Sequence, residues 1–180
     1  MSNAKQLQDQ GLKLFQQKEY EAALKMFHQA QAAYSADGQA DIAAEMGVNI
    51  GLVHHALGAY QPALDAMQES LRMFQDQSDA KRAAMVLGNM GKVYRALGDK
   101  EQAYTCYRQA ADVFQELGEK QMYADTLMAM GDLQVRDGKL MQGASTYEVG
   151  LEQIDNLTPS QRVLKGLIGI RNRLTGGGSS

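Results

Sequence analysis

The amino-acid sequence predicts an all-α fold of four successive helical hairpins followed by one C-terminal helix. Three observations lead to this prediction. Apolar residues recur at helical spacing, only 2 of the 180 residues are proline, and similar segments return every 40 residues. Hydrophobic residues make up 44% of the chain and charged residues 22%, as in ordinary globular domains. A chain of this length can bury a core without disulfides or metal ions.

The 40-residue period is clearest at a set of small residues. One glycine lies inside the first predicted helix of each repeat, an alanine or glycine follows twelve residues later, and an aromatic residue or methionine stands four beyond that. The glycines are Gly11, Gly51, Gly91 and Gly131, the small residues are Ala23, Ala63, Ala103 and Gly143, and the large ones are Phe27, Met67, Tyr107 and Tyr147. Glycine inside a helix costs about 1 kcal/mol relative to alanine. We therefore expect the two helices of each hairpin to approach closely here, so that packing offsets the loss.

Turn residues divide the chain into hairpins. Three glycines predict left-handed helix caps within the hairpins: Gly58, Gly98 and Gly138. Polar segments predict the turns between hairpins, at residues 35–41, 75–81 and 117–121. The predicted repeats are then about residues 4–38, 41–78, 79–118 and 121–155.

A final helix is predicted over residues 158–174. It begins with a capping box formed by Thr158 and Gln161, and Pro159 suits its first helical position. Apolar residues form one stripe along it: Val163, Leu164, Leu167, Ile168 and Leu174. We expect this stripe to cover the last repeat, which an array of repeats requires, although a basic amphipathic helix on a membrane surface is the alternative. Residues 175–180, rich in glycine and serine, are predicted to be a disordered tail.

The small and large positions of this pattern resemble those of the tetratricopeptide repeat (TPR), where they meet across a helical hairpin. The resemblance covers residues 4–155, and the 40-residue period is similar to that of the long-helix subgroup found in kinesin light chains and in the spindle-orientation scaffold. Gly47 departs from the motif, which has an early tryptophan there. In the fourth repeat Gly143 and Gly150 replace alanines, so we expect that repeat to pack most loosely. The resemblance implies a right-handed α-solenoid with a concave binding face.

The resemblance also implies which residues line the concave face, because the first helix of each TPR supplies most of it. The predicted peptide-binding residues are Asn49, Leu52, His55, Asn89, Lys92, Arg95, Asp132 and Arg136. Val135 belongs to the same face, and three further residues are expected to flank it: Glu45, Met85 and Asp125.

Asn49 and Asn89 are the clearest candidates for peptide binding, because a side-chain amide matches both hydrogen-bonding groups of an extended backbone. Similar asparagines clamp peptides in the TPR family, while a merely solvated role is the alternative. Four basic side chains could hold a carboxylate by charge-assisted hydrogen bonds: His55, Lys92, Arg95 and Arg136. They could equally form a solvated charged face that Asp125 and Asp132 neutralise.

The sequence contains no pattern typical of an enzyme or of a cofactor site. It has no glycine-rich phosphate loop, its histidines lack the i, i+4 spacing of a metal site, and Cys106 is interpreted as a buried, inert thiol. The net charge of −3 argues against nucleic acid as a partner. No apolar run approaches the roughly 20 residues of a bilayer span. We therefore expect no membrane partner, and a cytoplasmic location because no secretory leader is found.

These observations predict a noncatalytic scaffold or adaptor, without cofactor or metal, that binds an extended peptide segment of a partner protein in the TPR groove. Two alternatives stay open. The chain could be a structural TPR protein that self-associates into a homo-oligomer through its terminal repeat or its C-terminal helix. It could also be a regulatory module that senses a small peptide.

Overall fold

The computed structural model describes residues 3–176 of the chain, and over these residues it contains helices and turns without a strand. The predicted all-α class and its helical hairpins are confirmed. The chain divides into two compact units, of which the first ends at Cys106 and the second begins at Tyr107. In each unit the packing is mainly between helices that are consecutive in the chain, as in an α-solenoid.

Five complete helices belong to the first unit. They are α1 (Asn3–Gln16), α2 (Tyr20–Ala36), α3 (Ala40–Ala56), α4 (Tyr60–Asp76) and α5 (Ala80–Leu97). Each packs on the next, and α3 also contacts α5. The unit boundary falls within α6 (Lys100–Glu116). The second unit continues with α7 (Lys120–Arg136), α8 (Leu140–Glu152) and α9 (Pro159–Gly176), in which α7 packs on α8 and α8 on α9.

A 20-residue unit underlies the 40-residue repeat. From α2 to α8 each helix begins 20 residues after the one before it, from Tyr20 to Leu140. Two residues before each start the backbone takes a positive φ, between 58° and 90°, at Lys18, Gly38, Gly58, Ser78, Gly98, Gly118 and Gly138. The next N–H then donates to the carbonyl five residues earlier, as Gln39 does to Tyr34 over 2.9 Å. This hydrogen bond is that of a Schellman cap, which ends the helix and reverses the chain.

The repeated glycines stand where the two helices of a hairpin approach closely. A Cβ added at Gly51 would lie 3.0 Å from the carbonyl oxygen of Ala63 and 2.7 Å from Met67 Cγ. One added at Gly11 would lie 2.8 Å from the ring of Phe27. A side chain at either glycine would push the helices apart, so the close approach expected at these two positions is confirmed.

Two clusters of buried apolar side chains stabilise the first unit. One joins α1, α2 and α3 around Phe27 and Met46, and the other joins α3, α4 and α5 around Met67, Phe74 and Met90. The helix α3 contributes to both clusters. Because α3 is packed on both sides, it is held in place relative to α4 and α5. The cavity described below lies between α3 and α5.

The helices α7 and α8 pack closely, contrary to the loose packing expected from their glycines. A Cβ at Gly143 would lie 2.6 Å from Val135 Cγ2 and 3.1 Å from the carbonyl oxygen of Gly131, and one at Gly150 would lie 3.3 Å from Leu127 Cβ. The missing methyl groups on α8 thus leave room for larger side chains of α7. The sequence expectation was wrong because it considered one helix without the partner that fills the space.

The helix α9 begins as predicted but buries a different face. Its capping box is formed, since the N–H of Thr158 donates to Gln161 Oε1 over 2.8 Å. The prediction that one apolar stripe is buried is wrong. Among the stripe residues whose side chains are described, only Ile168 is fully buried, at 5% exposure, with Leu164 half-buried beside it. Three other apolar residues are 54–64% exposed: Val163, Leu167 and Ile170. Apolar residues cover so much of this helix that one neighbouring surface can bury only part of them.

The C-terminal end of α9 lies two residues beyond the prediction, at Gly176. Helix ends fray, and their position commonly varies by one or two residues. The rest of the predicted tail, residues 177–180, and the side chain of Leu174 lie outside the described residues. Among the described helices, none is both long enough and apolar enough to cross a membrane.

Candidate functional site

A cavity of about 370 Å³ lies between α3 and α5 in the first unit, and we call it the α3–α5 cavity. It is lined by Glu45, Val48, Asn49 and Leu52 of α3, by Arg82, Met85, Val86 and Asn89 of α5, and by Phe74 of α4. Three of the predicted peptide-binding residues, Asn49, Leu52 and Asn89, therefore share one cavity, together with the predicted flanking residues Glu45 and Met85.

The two asparagines occupy the same position in α3 and α5, because these helices begin 40 residues apart. Both side chains are half-buried. The amide oxygen of Asn89 accepts a hydrogen bond from Lys92 Nζ over 3.1 Å. An amide oxygen accepts two hydrogen bonds and its NH₂ group donates two, so Asn89 keeps capacity for a ligand. Within residues 3–176 the side chain of Asn49 makes no hydrogen bond to the protein.

One part of the α3–α5 cavity is apolar. Val86 and Phe74 are buried, and Val48 and Leu52 are half-buried. Met85 is 44% exposed at the edge, where a flexible and polarisable thioether can adapt to the shape of a bound group. A chain segment that lies across the asparagines could bury an apolar side chain against these residues.

Arg82 is a cavity residue that sequence analysis missed. Its guanidinium carbon lies 4.8 Å from the centre of the Phe74 ring. Its Nη1 lies 2.9 Å from Glu45 Oε1 and 3.5 Å from Asp41 Oδ2, and its Nε donates to Asp79 Oδ2 over 2.6 Å. The guanidinium thus links α3, α4 and α5 by ion pairs and a cation–π contact.

A signal for Arg82 was present in the sequence. The residues 40 positions before and after it are Ile42 and Met122. An arginine at a position that the neighbouring repeats fill with apolar side chains must find acidic or aromatic partners, and these are supplied by residues far from it in sequence. This exchange lies outside the small and large positions that define the repeat.

In the Arg82 network a single guanidinium faces three carboxylates, of which that of Glu45 lines the α3–α5 cavity beside Arg82. The pKa of Asp79 is lowered, first by the hydrogen bond from the backbone N–H of Arg82 and then by that from its side chain. The pKa of Arg82 is raised, mainly by its hydrogen bond to Asp79. Asp79 is also the N-cap of α5, so one carboxylate begins the helix and holds the guanidinium.

Basic residues lie toward the C-terminal ends of α3 and α5. Burial, followed by the positive charges of Lys92 and Arg95, lowers the pKa of His55. A histidine whose pKa is below its ordinary value is largely uncharged at pH 7. The His55 ring lies 6.0 Å from that of Tyr60, measured between centroids. Of the residues predicted to hold a carboxylate, Lys92 and Arg95 therefore supply the positive charge in this unit.

The remaining predicted residues, Asp132 and Arg136, lie on α7 in the second unit. Tyr147 of α8 donates a hydrogen bond to Asp132 Oδ1. Burial, followed by this bond, raises the pKa of Tyr147 to about 12. The flanking Asp125 accepts a hydrogen bond from Gln121 Nε2 over 3.0 Å. Both carboxylates are thus engaged within the unit, whereas Arg136 is exposed in the last turn of α7.

No cluster of side chains in residues 3–176 has the composition needed to hold a metal ion. Cys106 is buried, and burial raises its pKa to about 11. A thiol with such a pKa stays protonated at neutral pH and is a poor nucleophile.

Comparison with known proteins agrees with this architecture. The family model of the soluble NSF attachment protein, SNAP, matches residues 55–160, and that of the tetratricopeptide repeat matches residues 7–76. The crystal structure of BtubC (BKLC) from P. vanneervenii is similar, with a TM-score of 0.76 and 14% identity over 98% of this chain and 82% of that one. No curated protein matches the sequence. The SNAP model matches more than half of this chain. The chain therefore belongs to the TPR-like SNAP family of helical repeat proteins.

Proposed function

We propose that the α3–α5 cavity binds an extended segment of a partner protein through hydrogen bonds from Asn49 and Asn89 to the segment's backbone. The observation that carries this proposal is that two amides in equivalent positions line one cavity with an apolar wall. Packed helices lie about 8–10 Å apart and an extended chain advances about 3.3 Å per residue. The two amides would therefore meet backbone groups about three residues apart in the segment.

Membership of the repeat family supports protein binding in general. TPR-type repeats serve as protein interaction scaffolds, and TPR-like and SNAP-like families are typically noncatalytic. The residues of this chain make the proposal specific, because the amide pair and the apolar wall formed by Leu52, Met85 and Phe74 suit a peptide better than a flat protein surface.

The charges toward opposite ends of α3 and α5 support a preferred orientation of the segment. Asp41 and Glu45 lie toward the start of α3, whereas Lys92 and Arg95 lie toward the end of α5. The same arrangement also favours the helix dipoles, which prefer acidic groups at helix starts and basic groups at helix ends. We therefore assign these charges to orientation and partner choice, and the affinity to the amides and the apolar wall.

Affinity capture from a lysate of the source organism, quantified by mass spectrometry, tests this proposal. The baits are the wild-type chain, the double variant Asn49→Ala with Asn89→Ala, and the control Asn156→Ala, which removes an exposed asparagine outside the cavity. Circular dichroism and thermal unfolding establish that all three baits are folded. Loss of two peptide hydrogen bonds should lower retention of a groove-binding partner by about tenfold or more.

The expected result is a protein that wild type and Asn156→Ala retain and the double variant loses. A crosslinkable amino acid placed at Leu52 should then join that protein to the cavity through one short segment. Equal retention by all three folded baits would show that the cavity is not the binding site, and the proposal would be wrong.

One observation favours self-association as a second candidate function. Val163, Leu167 and Ile170 form an exposed apolar stripe on α9, and two copies of such a stripe can pack against each other around a two-fold axis. Multi-angle light scattering would then find a dimer of the wild-type chain and of the control Leu140→Lys on α8, but a monomer of Leu167→Lys. A wild-type chain that stays monomeric at high concentration would contradict this candidate.

A further inference from the structure

A second cavity, of about 460 Å³, lies between α2 and α4. It is lined by His28, Gln31, Ala32 and Ser35 of α2, by Ala43 and Ala44 of α3, and by Glu69, Ser70 and Met73 of α4. Successive residues of a helix are rotated by about 100°, which places Ala43 and Ala44 on the side of α3 away from Asn49. This α2–α4 cavity is therefore separate from the α3–α5 cavity.

The α2–α4 cavity arises where residues of the first two repeats depart from the later repeats. A Cβ at Gly47 would overlap with Ser70 Oγ and lie 3.3 Å from Gln31 Nε2, so these three residues meet where α2, α3 and α4 come together. The same register positions hold only apolar residues or glycine in the following repeats. Forty residues later they are Leu71, Leu87 and Ala110, and eighty residues later they are Ala111, Leu127 and Gly150.

The polar residues at this contact are weakly bonded within the protein. Ser70 is 2% exposed, and its hydroxyl donates to the carbonyl oxygen of Ala66 in its own helix over 3.1 Å. Gln31 Nε2 reaches the carbonyl oxygen of Ala43 over 3.4 Å, which is long for a hydrogen bond. Apolar residues here would bury more surface without leaving polar groups poorly paired. A repeat that departs from its own packing pattern in this way is a candidate for function.

The chemistry of the lining fits a cation with an apolar stem. With histidine counted as neutral, the exposed Glu69 is the charged residue among those that line the cavity. In the part of the chain that the structure describes, no basic side chain forms an ion pair with Glu69. Gln31, Ser35 and Ser70 offer oxygen acceptors beside it, while the alanines and Met73 offer apolar surface to an alkyl stem.

We infer that the α2–α4 cavity binds an arginine side chain carried by a segment of a partner protein. A guanidinium has five N–H donors in one plane, and it can direct two of them at the Glu69 carboxylate and others at the oxygens of Gln31 and the serines. A lysine ammonium has three donors and matches this set of acceptors less well. The inference goes beyond the proposed function, because it concerns another face of α3 and needs neither Asn49 nor Asn89.

A titration followed by ¹H–¹⁵N NMR tests the inference. The probe is the capped peptide acetyl-Gly-Ala-Arg-Ala-Gly-amide, and the control probe contains citrulline, which has the shape of arginine without its charge. The arginine peptide should shift the backbone amides of residues 28–35 and 69–73 in a saturable manner. The citrulline peptide should bind about two- to fivefold more weakly, because the ion pair with the exposed Glu69 carboxylate is lost.

Three variants complete the test. Glu69 is exposed, so Glu69→Gln should weaken arginine binding about two- to fivefold, whereas Asp76→Asn, an exposed acid on the same helix outside the cavity, should leave it unchanged. The double variant Gln31→Leu with Ser70→Ala installs the residue types of the next repeat, and it should fold and lose binding. Equal shifts with both probes, no effect of Glu69→Gln, or shifts confined to residues 41–45 and 79–82 would overturn the inference.

Discussion

Two glycines of α3 face α4, and they are there for different reasons. Gly51 belongs to the glycine set that recurs every 40 residues, and its space is limited by Met67 and by a backbone atom, the carbonyl oxygen of Ala63. Gly47 stands where the other repeats have leucine, and its space is limited by the hydroxyl of Ser70. Positions that keep the repeat hold the hairpins together, whereas positions that break it give this chain its individual cavities and charges.

The largest change in stability is expected at Gly51, the position that keeps the repeat. Gly51→Ala should lower the free energy of unfolding by about 2–3 kcal/mol, because the new methyl group overpacks against a backbone oxygen that cannot move aside. Urea unfolding followed by circular dichroism measures the change. Adding Met67→Ala should not restore stability, since Ala63 still blocks the methyl group. A fully stable Gly51→Ala would contradict the close approach of α3 and α4.

Arg82 stands at a position where the repeat is broken. Loss of its network should cause the next largest change in the free energy of unfolding. Asp79→Ala removes the N-cap of α5 and a partner of Arg82, so it should lower the free energy of unfolding by about 1–2 kcal/mol at pH 7. Asp76→Asn, an exposed change at the end of α4, serves as the control and should stay within about 0.5 kcal/mol.

The Asp79 contribution should also depend on pH. Its pKa in the folded chain is lowered below the ordinary value of 3.8, so the folded form favours the carboxylate. The stabilisation is therefore complete above the unfolded pKa and is lost as the pH falls through the folded pKa. Unfolding of wild type and Asp79→Ala should differ fully at pH 7, and the difference should shrink below about pH 4. A difference that grows on acidification would refute this assignment.

Substitutions at the turns should change the stability less, and they test the same comparison. Five of the seven left-handed turn residues are glycine, whereas Ser78 takes a φ of 58° with a side chain. Ser78→Gly should raise the free energy of unfolding by about 0.5–1 kcal/mol, because the strain removed exceeds the backbone entropy added. The control Ser145→Gly, inside α8, should lower it by about 0.5 kcal/mol. Thermal unfolding of both variants separates a turn effect from a general effect of glycine.

A change in stability as small as that at Ser78 is expected at Gly47. Gly47→Ala in a Ser70→Ala background should raise stability by about 0.5–1 kcal/mol, because helix propensity improves once the hydroxyl is gone. Gly47→Ala alone should be less stable than this pair, which a double-mutant cycle measures. Additive effects of the two changes would show that Gly47 and Ser70 do not share the contact.

The sequence predicted the fold well and the candidate site in part. The period and the glycine set identified the hairpins, because each hairpin repeats one local contact between nearby parts of the chain. Register alone placed Asn49 and Asn89 in equivalent positions, and the structure shows that both line one cavity. Arg82 was missed because its partners Asp41 and Glu45 lie on another helix, about 40 residues earlier in the chain.

The sequence by itself determined the all-α class, the 40-residue period and the helix turns, since these depend on helical spacing and on residues that tolerate a left-handed backbone. Only the tertiary structure decided which face of α9 is buried, how Val135 fills the space above Gly143, and where the cavities lie. Those features depend on the rotation of each helix about its axis and on the fit of side chains from separate helices. A one-dimensional pattern specifies which residues can be buried, and packing chooses among them.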